Sequence, residues 1–162
     1  MIWKILFTYI LLVQTAYADV LSGRVVGVAD GDTITVLDST NTQHRIRLNG
    51  IDAPEKNQAF GNVSKKSLSG QIFNQHVDIE WFKYDKYERK VGKVYSNNED
   101  ICLKQIKRGL AWYNSKYKGD LVQEDRITYV QAQQEAEANK TGLWVDPNPT
   151  PPWEFRKQKK SE

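Results

Sequence analysis

The sequence predicts an α+β fold, mainly β with helices: a closed five-stranded barrel of the OB type carrying three α-helices. Three observations lead there. Five short segments alternate apolar and polar residues at the period of a half-buried strand. Short helical patterns fall between and after those segments, which fits a small closed barrel better than a sandwich. A chain of 162 residues that is 40% hydrophobic can build one real core, and two domains would be a squeeze.

In chain order, Leu21 to Ala29 and Thr33 to Asp38 are rich in β-branched residues and flank the turn Asp30-Gly31-Asp32, which makes an antiparallel pair. A polar link from Ser39 to Thr42 leads to a third strand, Gln43 to Ile51. There Arg45 and Arg47 alternate with Ile46 and Leu48, so both guanidinium groups stand on the face opposite the aliphatics. A stiff turn follows. Gly50 permits unusual backbone angles, and Pro54 fixes its own φ while keeping Ala53 extended, so Asp52 and Glu55 are presented on a rigid loop.

Asn62 is placed to cap a helix from Val63 to Asn74, although Gly70 inside it costs about 1 kcal/mol against alanine. His76 to Lys83 sets Val77, Ile79 and Trp81 against Asp78 and Glu80, and Lys90 to Ser96 resumes strand character after a charged turn. Leu103, Ile106 and Leu110 lie on one stripe of a second helix, Ile101 to Arg108, with Gly109 as its C-terminal stop. Asp120 and Gln123 resemble a capping box for a third helix, Leu121 to Asn139, whose Val122, Tyr129, Ala132 and Ala136 share a face. From Asp146 the stretch DPNPTPPW holds four of the five prolines, so 146–162 is expected to run extended, and Arg156 to Lys160 to end it as a solvated basic tail.

Residues 1–18 differ from the rest. Lys4, an apolar run from Ile5 to Val13 and then Ala16-Tyr17-Ala18 make the pattern of a secretory signal peptide cleaved after Ala18, and the run is well short of the roughly 20 residues that cross a bilayer. The expected product is a secreted or periplasmic monomer with its domain at 19–145 and no membrane attachment. Lys4 is the only charge lost, so the formal net charge of +3 becomes +2, too weak by itself to argue for nucleic acid. Cys102 is the single cysteine, which rules out an internal disulfide; beside Leu103 it reads as a small buried apolar residue.

Three clusters carry chemistry: Asp30-Gly31-Asp32-Thr33; Arg47 with Asp52 and Glu55; and Asp85-Lys86-Tyr87-Glu88-Arg89. Together they offer carboxylates for a hard cation, a free carboxylate, and two arginines suited to bidentate phosphate binding. That inventory points to phosphodiester hydrolysis. If the carboxylates converged without an ion, a pair about 4 Å apart would repel by roughly 4 kcal/mol at an effective dielectric near 20, so the cluster implies a metal. Calcium suits an extracellular site, held weakly, with a dissociation constant on the order of 10⁻⁴ to 10⁻³ M. Asp30-Gly31-Asp32 is not an EF-hand loop, since the later acidic positions are missing, and His44 and His76 lack partners at zinc spacing. With no activated Ser or Cys in view, water is the nucleophile.

DGDT, RLNGIDAPE, DKYER and GLAW, in this order and spacing, resemble the thermonuclease or staphylococcal nuclease family, and the PPWEFRK tail is similar to that of many secreted bacterial members. The resemblance covers roughly Ser22 to Trp144. It implies an OB barrel with three helices that cleaves DNA and RNA with calcium, favouring single-stranded or frayed substrate and leaving 3′-phosphate ends. By position, Asp32 and Asp52 match the family's calcium carboxylates, with Ala53 where a backbone carbonyl completes the site. Arg47 and Arg89 match the phosphate-binding arginines, and Glu55 the residue assigned as general base. Lys86, Tyr87 and Tyr117 fall where members contact the nucleotide. Two positions depart from the pattern: Glu88 stands where glycine is common, and Ser115 where some members place a second stacking tyrosine. A non-catalytic OB-fold nucleic-acid-binding module is the alternative reading, and a periplasmic oligosaccharide binder a more distant one. Neither needs Asp32, Arg47, Asp52, Glu55 and Arg89 together.

Overall fold

A computed structural model describes residues 19–161; the expected signal segment 1–18 lies outside the described residues. The elements run β1 (Asp19–Val28), β2 (Thr33–Leu37), β3 (Gln43–Leu48), β4 (Ile51–Asp52), α1 (Gly61–Ile72), β5 (His76–Tyr84), β6 (Lys90–Ser96), β7 (Glu99–Asp100), α2 (Ile101–Lys107), β8 (Trp112–Tyr113), α3 (Gln123–Ala138) and α4 (Pro152–Gln158). Short 3₁₀ turns occupy Ser115–Asp120 and Gly142–Val145.

The five strands read from sequence are the five that close the barrel. Antiparallel pairing runs β3-β2-β1-β5-β6, and the ring is completed by parallel pairing of Ile46–Leu48 with Lys90–Gly92. Register irregularities between Val25 and Gly27 in β1, and between Trp81 and Lys83 in β5, add the local twist that a small barrel needs. Alternation places Val25, Ile34, Val36, Ile46, Leu48, Ile79 and Val94 inside, in one apolar cluster with Leu68 and Ile72 of α1, Ile101 and Ile106 of α2, and Tyr129 of α3. Cys102 lies fully buried in the same cluster, and burial pushes its thiol pKa up, so it serves as a small apolar residue. His44 is an ordinary surface group that pairs with Asp38 at 2.8 Å.

Three details differ from the sequence expectation. Helix α1 begins at Gly61, one residue after Phe60 in the left-handed region at φ 64°, and no side chain caps it. Asn62 lies inside the helix. The start is fixed by packing instead, because Gly61 sits so close to the Glu55 carbonyl that a Cβ would fall 1.9 Å from that oxygen. Helix α3 begins at Gln123 without a side-chain cap, since Asp120 is committed to Lys83 at 2.5 Å.

The largest difference is the C-terminal segment. Residues 146–162 were expected to be extended with a solvated tail, but Pro152–Gln158 forms α4, a fourth helix where three were expected. Pro152 suits a first helical position because its missing N–H would be unpaired there anyway. Glu154 in the first turn and Arg156 and Lys157 in the last complement the helix dipole. Tertiary contact holds the helix down: Trp153 meets Trp112 edge to face at 5.7 Å, and Trp112 in turn meets Trp144 at 4.3 Å.

Candidate active site

The alternation of β2 and β3 brings Asp32, Thr33 and Arg47 to one end of the barrel, where Thr33 pairs with Arg47 across the two strands. Asp32 closes the β1–β2 turn. Asp30 Oδ1 accepts from the Asp32 N–H at 3.0 Å, and Gly31 fits beneath because only hydrogen can face Ser64 and Ala53 there. Gln105, fully buried on α2, donates to the Gly31 carbonyl at 2.9 Å and so ties this turn to the helical layer.

Asp52 arrives from the other side. β4 pairs with β8, setting Asp52 opposite Trp112, and Asn114 Nδ2 donates to Asp52 Oδ2 at 3.1 Å. The GLAW segment therefore positions the Asp52 loop. Arg47 Nη2 stands between the two aspartates, 3.2 Å from Asp32 Oδ2 and 3.4 Å from Asp52 Oδ1, while the Ala53 N–H donates to Asp32 Oδ2 at 2.7 Å. Residues expected to form a cation site are thus gathered around one guanidinium nitrogen.

The electrostatics follow from burial. Burial lifts the Asp32 carboxyl to about 6; Arg47 pulls it down and Asp30 pushes it up again. Burial opposes charge on Arg47, but Asp32, Asp52 and Asp30 outweigh it and raise its pKa further. Among the described residues no three acidic, histidine or cysteine groups form a metal cluster. The donor set nonetheless fits a hard cation, being two carboxylates, Asp32 and Asp52, that converge on one point.

Arg89 reaches the same place from the β5–β6 turn. Its Nε and Nη2 both lie 2.7 Å from Asp85 Oδ2, and its Nη1 donates to Thr33 Oγ1 at 3.0 Å; Thr33 Oγ1 in turn donates to Asp32 Oδ1 at 3.0 Å. Asp85 shapes the turn by accepting from the Tyr87 and Arg89 N–H groups. Burial would raise its pKa, yet these donors hold it below the usual carboxylate range. Glu88 adopts φ 59°, the left-handed backbone in which glycine is at ease. Asp85, not Glu88, is the partner of Arg89.

Of the remaining expected residues, Tyr87 is 61% exposed, with Lys86 Nζ 4.9 Å and the Arg89 guanidinium 5.4 Å from its ring. Lys86, Tyr87 and Arg89 therefore form one patch. Tyr117 sits on a separate exposed turn that begins at Asn114, the residue that steadies Asp52. Glu55 projects from the loop after Pro54, and its N–H is held by Gln58 Oε1 at 3.0 Å.

Sequence reasoning missed Arg156. From α4 its guanidinium grips both oxygens of Asp52, Nη1 to Oδ1 at 3.1 Å and Nη2 to Oδ2 at 2.7 Å, and Nη1 also reaches Glu55 Oε1 at 2.7 Å. The hydrogen bond to Asp52, ahead of other influences, raises the Arg156 pKa. The available signal was Pro-Pro-Trp ahead of the basic residues, a helix start with an aromatic anchor.

The Glu55 loop depends on Gly61 beneath it. Gly61→Ala is expected to cost about 1–3 kcal/mol and to lower activity, because the methyl must displace backbone at Glu55. Gly70→Ala, with open space around it in the same helix, should instead gain about 0.5–1 kcal/mol. Thermal unfolding of the two variants, read together with their cleavage rates, checks this contrast.

A closed OB barrel with paired aspartates, two convergent arginines and a loop glutamate at one end defines a phosphodiester-cleaving type of site, and comparison with known proteins agrees. The family model described as "Staphylococcal nuclease homologue" matches residues 45–146, and the chain belongs to that family, as a thermonuclease-like endonuclease. It is 40% identical over 161 residues to a Haemophilus influenzae protein named "Uncharacterized endonuclease", covering 97% of this chain and 87% of the relative. It is also 36% identical over 155 residues to a Shigella flexneri protein named "Micrococcal nuclease" (90% and 86%), and 34% identical over 158 residues to "Protein ParB" of Escherichia coli (92% and 86%).

Proposed function

We propose that the chain, once freed of residues 1–18, is a secreted or periplasmic monomeric endonuclease that hydrolyses DNA and RNA with calcium and leaves 3′-phosphate ends. One observation carries this reading: Arg47 from β3 and Arg89 from the β5–β6 turn both close on the Asp32–Thr33 pair, at 3.2 and 3.0 Å. Two guanidinium groups set side by side form a cradle for a phosphodiester, which each can grip by a planar fork.

In this reading Asp32, Asp52 and the Ala53 carbonyl hold the cation, which when bound supplies positive charge at the phosphoryl oxygen. Arg47 and Arg89 bind the equatorial oxygens and stabilise the charge that grows on them. Asp85 keeps the Arg89 fork aimed, and Asn114 keeps Asp52 in place. Glu55 takes the proton of the attacking water, and the 5′ oxygen leaves. Exposed Tyr87 and Tyr117 border or stack on the base, worth about 1–3 kcal/mol per stacked base without reading sequence, which favours single-stranded or frayed substrate. Lys86 adds a phosphate contact beside Tyr87. No helix among the described residues is long and apolar enough to cross a membrane.

The test is cleavage of single- and double-stranded DNA and RNA by purified chain, first with chelator and then with calcium restored. Chelation should abolish cleavage, and calcium in the millimolar range, on the order of 10⁻³ M for a site of this donor count, should restore it. Cleavage indifferent to chelator would contradict the cation role, and end-group chemistry of the products checks the 3′-phosphate.

A further inference from the structure

We propose that Arg156 is a tethered competitor for the cation, an inhibitory clamp that the C-terminal helix holds on the site until calcium displaces it. The proposal rests on the calcium reading above. Its basis is the bonding of Asp52, whose side chain is only 2% exposed. Both carboxylate oxygens are fully engaged: Oδ1 accepts from Arg47 and Arg156, and Oδ2 accepts from Asn114 and Arg156. A metal ion that takes Asp52 as a ligand must win oxygen lone pairs from a charged, bidentate donor. The same guanidinium holds Glu55 at 2.7 Å, so the carboxylate expected to accept a proton from water is already committed to a cation.

The clamp is built into the fold, since α4 is pinned through two aromatic residues just ahead of Arg156. Trp153 meets Trp112 edge to face, and Phe155 lines a pocket with Pro54, Phe60 and Trp112. Gln58 links the Glu55 loop to the segment before α4: it receives the Glu55 N–H at 3.0 Å and donates to the Thr150 carbonyl at 2.5 Å. Arg156 itself stays 44% exposed, so it can swing outward without unpacking a core. Tethering holds the guanidinium at an effective concentration on the order of millimolar, and a clamp that is closed about nine-tenths of the time weakens a calcium site about tenfold. Where calcium is scarce the clamp stays shut, and where it is plentiful the clamp yields.

Calcium binding measured by calorimetry, with calcium chloride alone and no nucleic acid, tests this on the chain lacking residues 1–18. Arg156→Gln should tighten calcium binding by about tenfold or more, the factor expected from removing one or two charge-assisted hydrogen bonds. Arg156→Lys, which keeps the charge but loses the bidentate fork on Asp52, should fall between the parent and Arg156→Gln. Trp153→Ala should shift the affinity in the direction of Arg156→Gln although the arginine is still present, which guards against a folding artefact in either variant. Equal calcium affinity of parent and Arg156→Gln, within about twofold, would overturn the clamp alone. No calcium binding by either would take down the calcium reading together with it.

Discussion

Replacing Glu55 with Gln is expected to lower turnover by about 10²–10⁴-fold, the range for a lost general acid–base group. The change keeps side-chain volume and removes only charge. Glu55 is 40% exposed, and its N–H contact with Gln58 belongs to the backbone, so the melting temperature and the loop should hardly move. Substrate affinity in calcium should survive, because Arg47, Arg89 and the Tyr87 patch are untouched, and the loss should fall on kcat more than on KM. Fluorescence anisotropy with a labelled oligonucleotide separates the two effects. A variant that turns over within about threefold of the parent would remove Glu55 from the proton-transfer step. One side effect is expected: Arg156 loses one of its two carboxylate partners, so calcium should bind the variant no more weakly than the parent through release of the clamp.

The barrel was legible in the sequence because strands that are buried on one face must alternate, and Val25, Ile34, Val36, Ile46, Leu48, Ile79 and Val94 do so in register with their buried positions. Helix beginnings were less legible. At Gly61 the start is dictated by contact with the Glu55 carbonyl, and at Gln123 the expected cap, Asp120, is drawn off by Lys83, a partner distant in the chain. Local propensity contains neither fact. The charged groups of the site stand out by residue type, and motif order marked which of them to gather, but the supports did not stand out. Asn114 and Gln105 look like any polar residue until the pairing of β4 with β8 and the packing of α2 place them. Arg156 was hidden for a stronger reason. A Pro-rich segment followed by Lys and Arg has the composition of a disordered tail, and contacts made across the fold, Trp153 on Trp112 and Arg156 on Asp52 and Glu55, turn it into a positioned helix.

Arg47→Met should give the largest combined loss, because this guanidinium touches both aspartates. The methionine fills much of the space, so what is removed is the charge. Asp32 and Asp52, with side chains 8% and 2% exposed, are left facing one another, although Arg156 still covers Asp52. Breaking a buried pair by removing one partner costs about 3–5 kcal/mol, and that loss is expected here in chelator at pH 8. The pH dependence has a definite sign. Asp32 already titrates at about 6 against an ordinary value of 3.8, and without Arg47 its carboxyl rises further. A carboxyl whose folded pKa lies above its unfolded value destabilises the fold progressively as pH climbs from the unfolded towards the folded value, and the full penalty applies above both. The deficit of the variant should therefore be smaller at pH 5 than at pH 8, because protonated Asp32 no longer repels Asp52. Calcium should recover part of it at pH 8, roughly 1.4 kcal/mol at tenfold excess over the dissociation constant, since the cation takes over the neutralising role of the guanidinium. Cleavage should not recover with stability, because the phosphate has lost one of its two forks; removing a single preorganised charge donor costs about 10²–10³-fold in turnover. Denaturant unfolding at the two pH values, with and without calcium, decides the matter. A stability deficit equal at both pH values and blind to calcium would mean that Arg47 contributes packing, and that the two aspartates do not sense one another.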